Sequence, residues 1–244
     1  MKVKELFPTT TKIYRSNILL MKKLFFDIET IPCDDSMKDM FVEIKRKLKS
    51  TVEVSDLDGV EDLYTQSALD GTFGRICCIA YIKEGNGKME KGVIKGDERA
   101  MLIEFWRVAA DVNQLVGHNV FDFDIPFIIK RSIIHSIKPR FINLARFRSD
   151  SVYDTMYEWE KWAFGKKVKL DTLAKVFGFP TSKDVMDGSQ VWPAFKDGKI
   201  DEICTYCMKD VELTRQVYYR MQVEPIPEYG QRPAQLKIDN DIPF

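Results

Sequence analysis

The chain has 244 residues, of which 45% are hydrophobic and 30% are charged, and this composition is typical of a globular protein that can bury a sizeable core. Its formal net charge is zero, which argues against a general electrostatic binder of nucleic acid but leaves room for a local basic patch. No apolar run reaches the length of a membrane span and residues 18–21 are too short for a signal-peptide core, so we expect a cytoplasmic protein without membrane contact.

The first predicted strand carries two acidic residues among apolar ones. In residues 22–30 (KKLFFDIET), Asp27 and Glu29 are two positions apart, so their side chains emerge on one face while Phe26 and Ile28 point into a core. Two neighbouring carboxylates repel each other and are costly to bury unless a cation lies between them. Oxygen ligands suit Mg²⁺ or Mn²⁺. The alternative is a half-exposed strand whose two acids face water.

The residues on either side of this strand predict a loose arm and a helical insertion. Residues 1–20 show no periodic pattern and are expected to form an N-terminal arm. Residues 34–70 alternate acidic and basic residues, which predicts an insertion of one or two helices and a loop. The apolar residues at helical spacing in this insertion are Met37, Met40, Phe41, Ile44 and Leu48.

The middle of the chain predicts alternating strands and helices. Residues 76–82 are nearly all apolar and predict a buried strand, with a hairpin partner over 88–95 and a helix that opens at Gly96-Asp97-Glu98. Residues 114–117 predict a short strand, and Pro126 is tolerated in the first turn of a helix that begins near Asp124. Asp124 is therefore expected at a strand-to-helix junction, where α/β sheets usually build sites.

Residues 130–169 contain ten basic residues and four acidic ones, with aromatic residues interleaved. This mixture is the best candidate for a nucleic-acid patch, but for most of the aromatic residues a place in the core of a helix is the better interpretation. A short helix is predicted over 171–178, and a loop is expected through Pro180 and Trp192-Pro193. Asp154 and Asp171 are assigned to capping or solvation. Residues 222–244 are polar and rich in proline and are expected to form a disordered tail.

The last predicted helix, residues 199–221, carries an acid and a phenol on one face. Tyr206 and Asp210 have the i,i+4 spacing that places them together, and their simplest interpretation is a buried hydrogen-bonded pair. Cys204 and Cys207 in the same helix form a C-x-x-C pair, but no second pair has zinc-site spacing. Buried reduced thiols are the better interpretation.

Three short motifs occur in order on these predicted elements. Residues 26–30 (FDIET), Asn119-x-x-x-Phe123-Asp124, and Tyr206-x-x-x-Asp210 resemble the three exonuclease motifs of the DEDD superfamily, and the tyrosine matches its DEDDy branch. Over residues 21–221 the chain resembles the stand-alone PolB-like 3′–5′ exonucleases, which are similar to the proofreading domain of family B DNA polymerases.

The resemblance implies an α/β, ribonuclease-H-like fold with a mixed central sheet flanked by helices over residues 21–221. It further implies two divalent metal ions, Mg²⁺ or Mn²⁺, and the removal of nucleotides from the 3′ end of single-stranded DNA, in repair or in proofreading in trans. Two alternatives remain open. One is an RNA 3′–5′ exonuclease of the same superfamily, and the other is a catalytically idle module that binds nucleic acid or a partner.

The resemblance also implies roles for individual residues. Asp27 is expected to bridge both metals, Glu29 and Asp210 to complete the site that activates water, and Asp124 to hold the second metal. Tyr206 is a poor general base at neutral pH because a phenol has a pKa near 10, so it is expected to orient the attacking water. The residues expected to contact the terminal nucleotide are Asn119, Phe123, Thr30 and Ile31.

The chain ends in Asp239–Phe244 (DNDIPF), which resembles the acidic, Ile-Pro-Phe-terminated tip of bacterial single-stranded-DNA-binding proteins. A disordered tail with an apolar end, a free carboxylate and neighbouring acids suits docking into a basic, hydrophobic pocket of a repair protein. The alternative is a chance sequence match in a disordered tail.

Overall fold

The structure is a computed structural model that describes residues 21–48, 57–181 and 186–229. The predicted N-terminal arm and the C-terminal tip Asp239–Phe244 lie outside these ranges. The division of the chain into arm, domain and tail therefore stays a prediction. Within the described ranges, no helix combines the length and the apolar character needed to span a membrane.

A five-stranded mixed sheet organises the described residues. Its strands in chain order are β1 Lys23–Ile31, β2 Arg75–Gly85, β3 Lys88–Lys95, β4 Gln114–Gly117 and β5 Val152–Asp154. The order across the sheet is β3-β2-β1-β4-β5, so the strand with the paired acids is at the centre. It pairs antiparallel with β2 and parallel with β4. The four predicted strands are confirmed, and β5 was not predicted because three residues are too few to show a period.

Helices cover both faces of this sheet. In chain order they are α1 Asp35–Leu48, α2 Leu57–Gln66, α3 Glu98–Ala109, α4 Asp124–Ile134, α5 Thr155–Glu160, α6 Leu170–Phe177, α7 Val191–Lys196 and α8 Ile200–Met221. The predicted helices are confirmed, but the loop expected through Trp192-Pro193 was wrong because α7 occupies it. Pro193 is the third residue of α7, where a backbone N–H would have no partner within the helix.

The alternation along β1 divides the core into two layers. Leu24, Phe26 and Ile28 belong to the cluster that α3 and α4 cover, as the sequence pattern predicts. Phe25 and Ile31 belong to the opposite cluster, under α8. Asp27 and Glu29 share that second face, so the sheet presents both acids toward the last helix.

Only some of the apolar residues at helical spacing in the insertion are buried. Met37, Met40 and Ile44 are 36%, 44% and 37% exposed, whereas Phe41 is fully buried against Tyr64 and neighbouring residues. The predicted insertion of helices is confirmed, and its spaced apolar residues are only partly covered. Helical spacing identifies one stripe of a helix but does not show how much of it a neighbour covers.

A buried ion pair fixes α8 on β2. The Arg215 Nε donates to Glu84 Oε2 at 2.8 Å, and both side chains are almost completely buried. The Tyr219 hydroxyl donates to the second oxygen of the same carboxylate, and Arg215 also donates to the Pro227 carbonyl at 2.9 Å. The C-terminal half of α8 is thus anchored to the sheet through the Glu84 carboxylate.

We expect Arg215→Leu to destabilise the protein by about 3–5 kcal/mol, because Glu84 would be left as a buried charge without its cation. Urea denaturation followed by circular dichroism measures the change. Glu212→Gln is the matched control, since it removes an exposed ion pair of the same helix with Lys91 and should cost less than about 1 kcal/mol. Equal losses in the two variants would contradict the prediction.

Candidate active site

Asp124 lies beside the C-terminal part of β1, where this strand extends past β4, and it comes from the core layer that α3 and α4 cover. The register between β1 and β4 ends at Phe25, so the following residues of β1 extend past their parallel neighbour. There the backbone N–H of Ile28 donates to Asp124 Oδ1 at 3.1 Å. Asp124 is buried as the first residue of α4, at the strand-to-helix junction that the sequence predicts. This hydrogen bond brings its carboxylate beside Asp27 and Glu29.

A β-bulge changes the direction of the end of β1 just after Glu29. Glu29 pairs with Cys78, but the next residue, Thr30, pairs with Ile76, so Cys77 has no register partner on β1. The Cys77 thiol instead donates to the carbonyl of Glu29 at 3.4 Å. Bulges of this kind bend a strand and turn its side chains, and they are common next to active sites.

The last helix closes the site from the other side of the strand. The Cys207 thiol lies 3.4 Å from the Asp27 carbonyl and 3.5 Å from Asp27 Oδ2. One ligand atom from each of Asp27, Glu29 and Cys207 lies within 4.8 Å of the others. Tyr206 is buried and Asp210 is partly exposed on the same helix, one turn further along.

Burial, and to a lesser extent mutual repulsion, disfavours the ionised forms of the carboxyl groups of the site. Burial raises the pKa of Asp27 well above its usual range, and the charges of Asp124, Glu29 and Asp210 raise it further. Burial also raises the pKa of Glu29, with Asp210 adding to the effect. Burial raises the pKa of Asp124 to about 7, against the opposing effect of the Ile28 hydrogen bond. A bound cation would remove these penalties, so the four groups fit a divalent-ion site.

Tyr206 is a hydrogen-bonding group and not a base in this environment. Burial raises the pKa of its phenol above the ordinary value of 10.0, and the negative charges of Asp210, Glu29 and Asp27 raise it further. The hydrogen bond to Asp210 acts in the same direction. The hydroxyl therefore stays protonated at neutral pH and can hold an oxygen atom in place.

A buried carboxylate shapes the turn that leads into α4. Asp154 accepts hydrogen bonds from the backbone N–H groups of Asn119 at 2.9 Å, Phe121 at 3.1 Å, Met156 at 3.0 Å and Tyr157 at 3.3 Å. It also caps α5, which confirms the capping role predicted for it. Asn119 has a positive φ of 65°, a conformation that asparagine tolerates better than most residues.

His118 ties the same turn to the loop before α6. Its Nδ1 lies 2.9 Å from Thr155 Oγ1 and its Nε2 lies 2.9 Å from the Val168 carbonyl. Burial lowers the pKa of His118 to about 4, so the imidazole is neutral at pH 7. Nε2 then carries the proton and donates to Val168, and Nδ1 accepts from Thr155. His118 is thus a structural support of the site wall.

An open groove of about 430 Å³ leads to these residues. Its lining includes Asn119, Tyr206 and Asp210, and also Lys167 and Lys169. Asn119 Oδ1 is buried, and the part of the chain that the structure describes offers it no hydrogen-bond partner. A ligand in the groove could donate to this oxygen.

The structure brings together the five residues that carry the sequence motifs: Asp27, Glu29, Asp124, Tyr206 and Asp210. The residues assigned to the terminal nucleotide are placed less uniformly. The Thr30 hydroxyl donates to the Ala68 carbonyl at 2.7 Å, and Ile31 is buried in the core. The Phe123 ring packs on Phe127 at the start of α4, with 5.5 Å between the ring centroids. Substrate contacts by Asn119, Phe123, Thr30 and Ile31 stay predictions.

Two residues of the site were not recognised from the sequence. Cys207 was interpreted as a buried thiol, which is correct for its burial but omits its contact with Asp27. The available signal was its i,i+3 spacing to Asp210, which places the two near one another on a helix. His118 had no such signal, because its partners Thr155 and Val168 are distant in the chain.

A family of predicted 3′–5′ exonucleases related to the exonuclease domain of PolB matches residues 69–225, which is more than half of the chain. The chain belongs to this family. The matched range contains Asp124, Tyr206 and Asp210, while Asp27 and Glu29 precede it. The resemblance to the PolB-like exonucleases is thereby confirmed, while the assignment to the DEDDy branch stays a prediction.

A solved structure gives the fold independently. The chain is similar to the family B DNA polymerase from the hyperthermophilic archaeon Pyrobaculum calidifontis, with a TM-score of 0.56 and 18% sequence identity. The match covers 90% of this chain and 25% of the polymerase chain, so the protein spans about a quarter of that relative's length. The α/β, ribonuclease-H-like fold with a mixed sheet flanked by helices is confirmed. Among curated proteins, no significant match is found.

In the metal-free protein, we expect Asp124→Asn to raise the free energy of unfolding at pH 8 by about 1–3 kcal/mol, because one of four repelling carboxylates is removed. The folded protein binds the Asp124 proton up to a pKa of about 7, whereas the unfolded chain releases it near 3.8. The stability of the metal-free wild type should therefore fall as pH rises from 3.8 to about 7. The variant should show a smaller fall. Thermal denaturation at several pH values measures this.

The same variant should lose most of its stabilisation by metal. Mn²⁺ at about 100 times its Kd stabilises a native state that alone binds it by about 2.7 kcal/mol. Asp150→Asn, which removes an exposed acid outside the site, is the matched control and should respond as the wild type does. Equal metal-induced shifts in Asp124→Asn and wild type would place the ion elsewhere.

Proposed function

We propose that this protein is a metal-dependent exonuclease that removes nucleotides from the 3′ end of single-stranded DNA by two-metal-ion hydrolysis. The observation that carries the proposal is the convergence of four carboxylates and a neutral phenol at the end of one central strand. Family membership supports 3′–5′ exonuclease activity in general. The substrate, the number of ions and a role in repair or in proofreading in trans belong to the proposal.

The donor set suits hard divalent ions such as Mg²⁺ or Mn²⁺. Asp27, with Glu29 and Asp210, would hold one ion, and Asp27 with Asp124 would hold the other. The oxygen atoms of these groups match the preference of both metals for oxygen ligands. When bound, such ions acidify water and neutralise charge at the reacting phosphate. Burial raises the pKa of the Cys207 thiol, so it keeps its proton and supports Asp27 as a hydrogen-bond donor.

The protein's own groups would position the reactants around this centre. Tyr206 keeps its proton and can donate to one oxygen while it accepts from a water molecule. The unpartnered oxygen of Asn119 can accept from a hydroxyl or an amine of the terminal nucleotide. Lys167 and Lys169 place positive charge along the groove, where phosphates of the strand would pass.

Digestion of 5′-labelled single-stranded DNA and RNA of one sequence, with Mg²⁺ or Mn²⁺, tests the proposal. We expect a ladder that shortens from the 3′ end and a rate at least about 10²-fold lower in Asp27→Ala, because metal stabilisation of the transition state would be lost. Asp150→Asn serves as the matched control and should cleave as the wild type does.

The same experiment separates the alternatives. A pocket that accepts DNA and rejects the 2′-hydroxyl gives a DNA-to-RNA rate ratio above one, and the reverse ratio would indicate an RNA exonuclease. A folded protein that binds metal but cleaves neither substrate would be a catalytically idle binding module. Tyr206→Phe should lower the maximal rate and leave the metal-induced thermal shift intact, since the phenol holds no ion in this proposal.

We also propose that the C-terminal tip Asp239–Phe244 docks a repair protein. The acidic, apolar-ended tip would complement a basic, hydrophobic pocket. Deleting these six residues should abolish binding to a partner that reads the tail of a single-stranded-DNA-binding protein, and should leave exonuclease activity on short oligonucleotides unchanged. Isothermal titration with the free hexapeptide checks the interaction directly. Unchanged partner binding after the deletion would refute it.

A further inference from the structure

A group of aromatic rings lies beside the active-site turn, outside the two main core layers. Trp162 stacks on Tyr157 with 4.7 Å between ring centroids and an angle of 19°. The Phe121 and Phe147 rings approach the same indole at 5.3 Å and 5.2 Å. We call Phe147, Tyr157 and Trp162, together with the exposed Phe164 two residues after Trp162 in the chain, the aromatic platform.

The platform turns large apolar surface toward solvent. Phe147 is 74% exposed and Phe164 is fully exposed, and Phe147 and Trp162 both have positive φ angles of 66° and 60°. Positive φ is costly for bulky residues and is retained where the surrounding structure fixes it. Exposed aromatic rings in a fixed arrangement are the usual sign of a binding surface.

One acid connects the platform to the active-site turn. Asp122 accepts from the Tyr157 hydroxyl at 2.6 Å and from Lys167 Nζ at 3.0 Å, and it lies 3.7 Å from Arg146. Asp122 is two residues before Asp124 in the chain. Lys167 also lines the groove that contains Tyr206, so the platform and the groove meet at this lysine.

The basic residues within 130–169 differ in how available they are to a ligand. Arg131 is a buried partner of Glu98, and Arg140 donates to the backbone carbonyls of Ala109 and Val112, so neither is available to a ligand. Six exposed basic residues are close to the platform residues in the sequence: Arg146, Arg148, Lys161, Lys166, Lys167 and Lys169. The segment that carries the platform thus also carries six exposed positive charges.

We propose that the aromatic platform binds single-stranded polynucleotide upstream of the 3′ end held in the groove. Bases have flat faces that stack on aromatic rings without regard to sequence, and the surrounding lysine and arginine residues complement the phosphates. Lys167 lines the groove and shares Asp122 with Tyr157 of the platform, so the two surfaces are connected at this lysine. The inference rests on the proposed function for the position of the 3′ end, but not for the binding itself.

Fluorescence anisotropy with a 5′-fluorescein-labelled oligothymidylate, in EDTA to prevent cleavage, tests the platform. We expect the full-length double variant Phe147→Ala, Phe164→Ala to bind on the order of ten-fold more weakly or worse, because each lost stacking contact reduces affinity. Phe147→Trp, Phe164→Trp keeps the stacking surface and should retain affinity. Ile133→Ala is the matched control, since it removes a 63% exposed apolar side chain elsewhere and should change nothing.

Salt dependence separates the two components of the surface. Arg148→Ala and Lys166→Ala should each lower the slope of log Kd against log salt by about 0.7, as expected for the loss of one phosphate contact on a single strand. The aromatic double variant should keep the wild-type slope. Circular dichroism confirms that each variant is folded, which the exposure of the substituted residues leads us to expect.

Two results would overturn the proposal. One is equal affinity of the wild type and the Phe147→Ala, Phe164→Ala variant, which would leave the surface to a protein partner. The other is no measurable binding of oligothymidylate by the wild type. Hydrolysis of a dinucleotide, which is too short to reach the platform, should be the same in both proteins. Loss of catalysis on all substrates with intact platform binding would refute the proposed function and not this inference.

Discussion

The site depends on keeping four carboxyl groups together against their mutual repulsion. Desolvation and like charge raise the pKa values of Asp27, Glu29 and Asp124, so the metal-free protein bears an energetic cost at neutral pH. The rest of the fold supplies what offsets it: the Ile28 amide on Asp124, the packing of β1 in both core layers, and the buried ion pair that anchors α8. A bound cation would offset this cost, because the repulsion among the carboxyl groups favours the binding of a positive ion.

The sheet topology makes this arrangement available. Because β1 runs parallel to β4 but is longer, its end is open on the side from which α4 approaches. The end of β1 is therefore close to a helix from each core layer. The helix α4 supplies Asp124 from one layer, and α8 supplies Tyr206 and Asp210 from the other. The supports of the neighbouring turn, Asp154 and His118, are buried polar groups whose hydrogen bonds are satisfied, and they hold the turn beside the groove in place.

Much of the site could be predicted because its residues obey simple periods. Asp27 and Glu29 have the strand period of two, and Tyr206 and Asp210 have the helical spacing of four, so their faces follow from local geometry. What could not be predicted depends on contacts across the chain. The short elements β5, α5 and α7 have too few residues to show a period, and α5 is capped by Asp154, whose other partners lie some 33 to 35 residues away. The bulge at Cys77 and the exposed face of α1 likewise depend on neighbours that no local pattern reveals.

The contact between Cys207 and Asp27 joins residues separated by 180 positions, and this separation has a consequence for biosynthesis. The central strand leaves the ribosome early, whereas the helix that completes the acidic cluster leaves it only after every strand of the sheet has been made. A nascent chain that lacks α8 has neither Tyr206 nor Asp210, and a proteolytic fragment that has lost this helix is in the same condition. The group of residues proposed to carry the chemistry is therefore complete only when translation of the whole domain has finished.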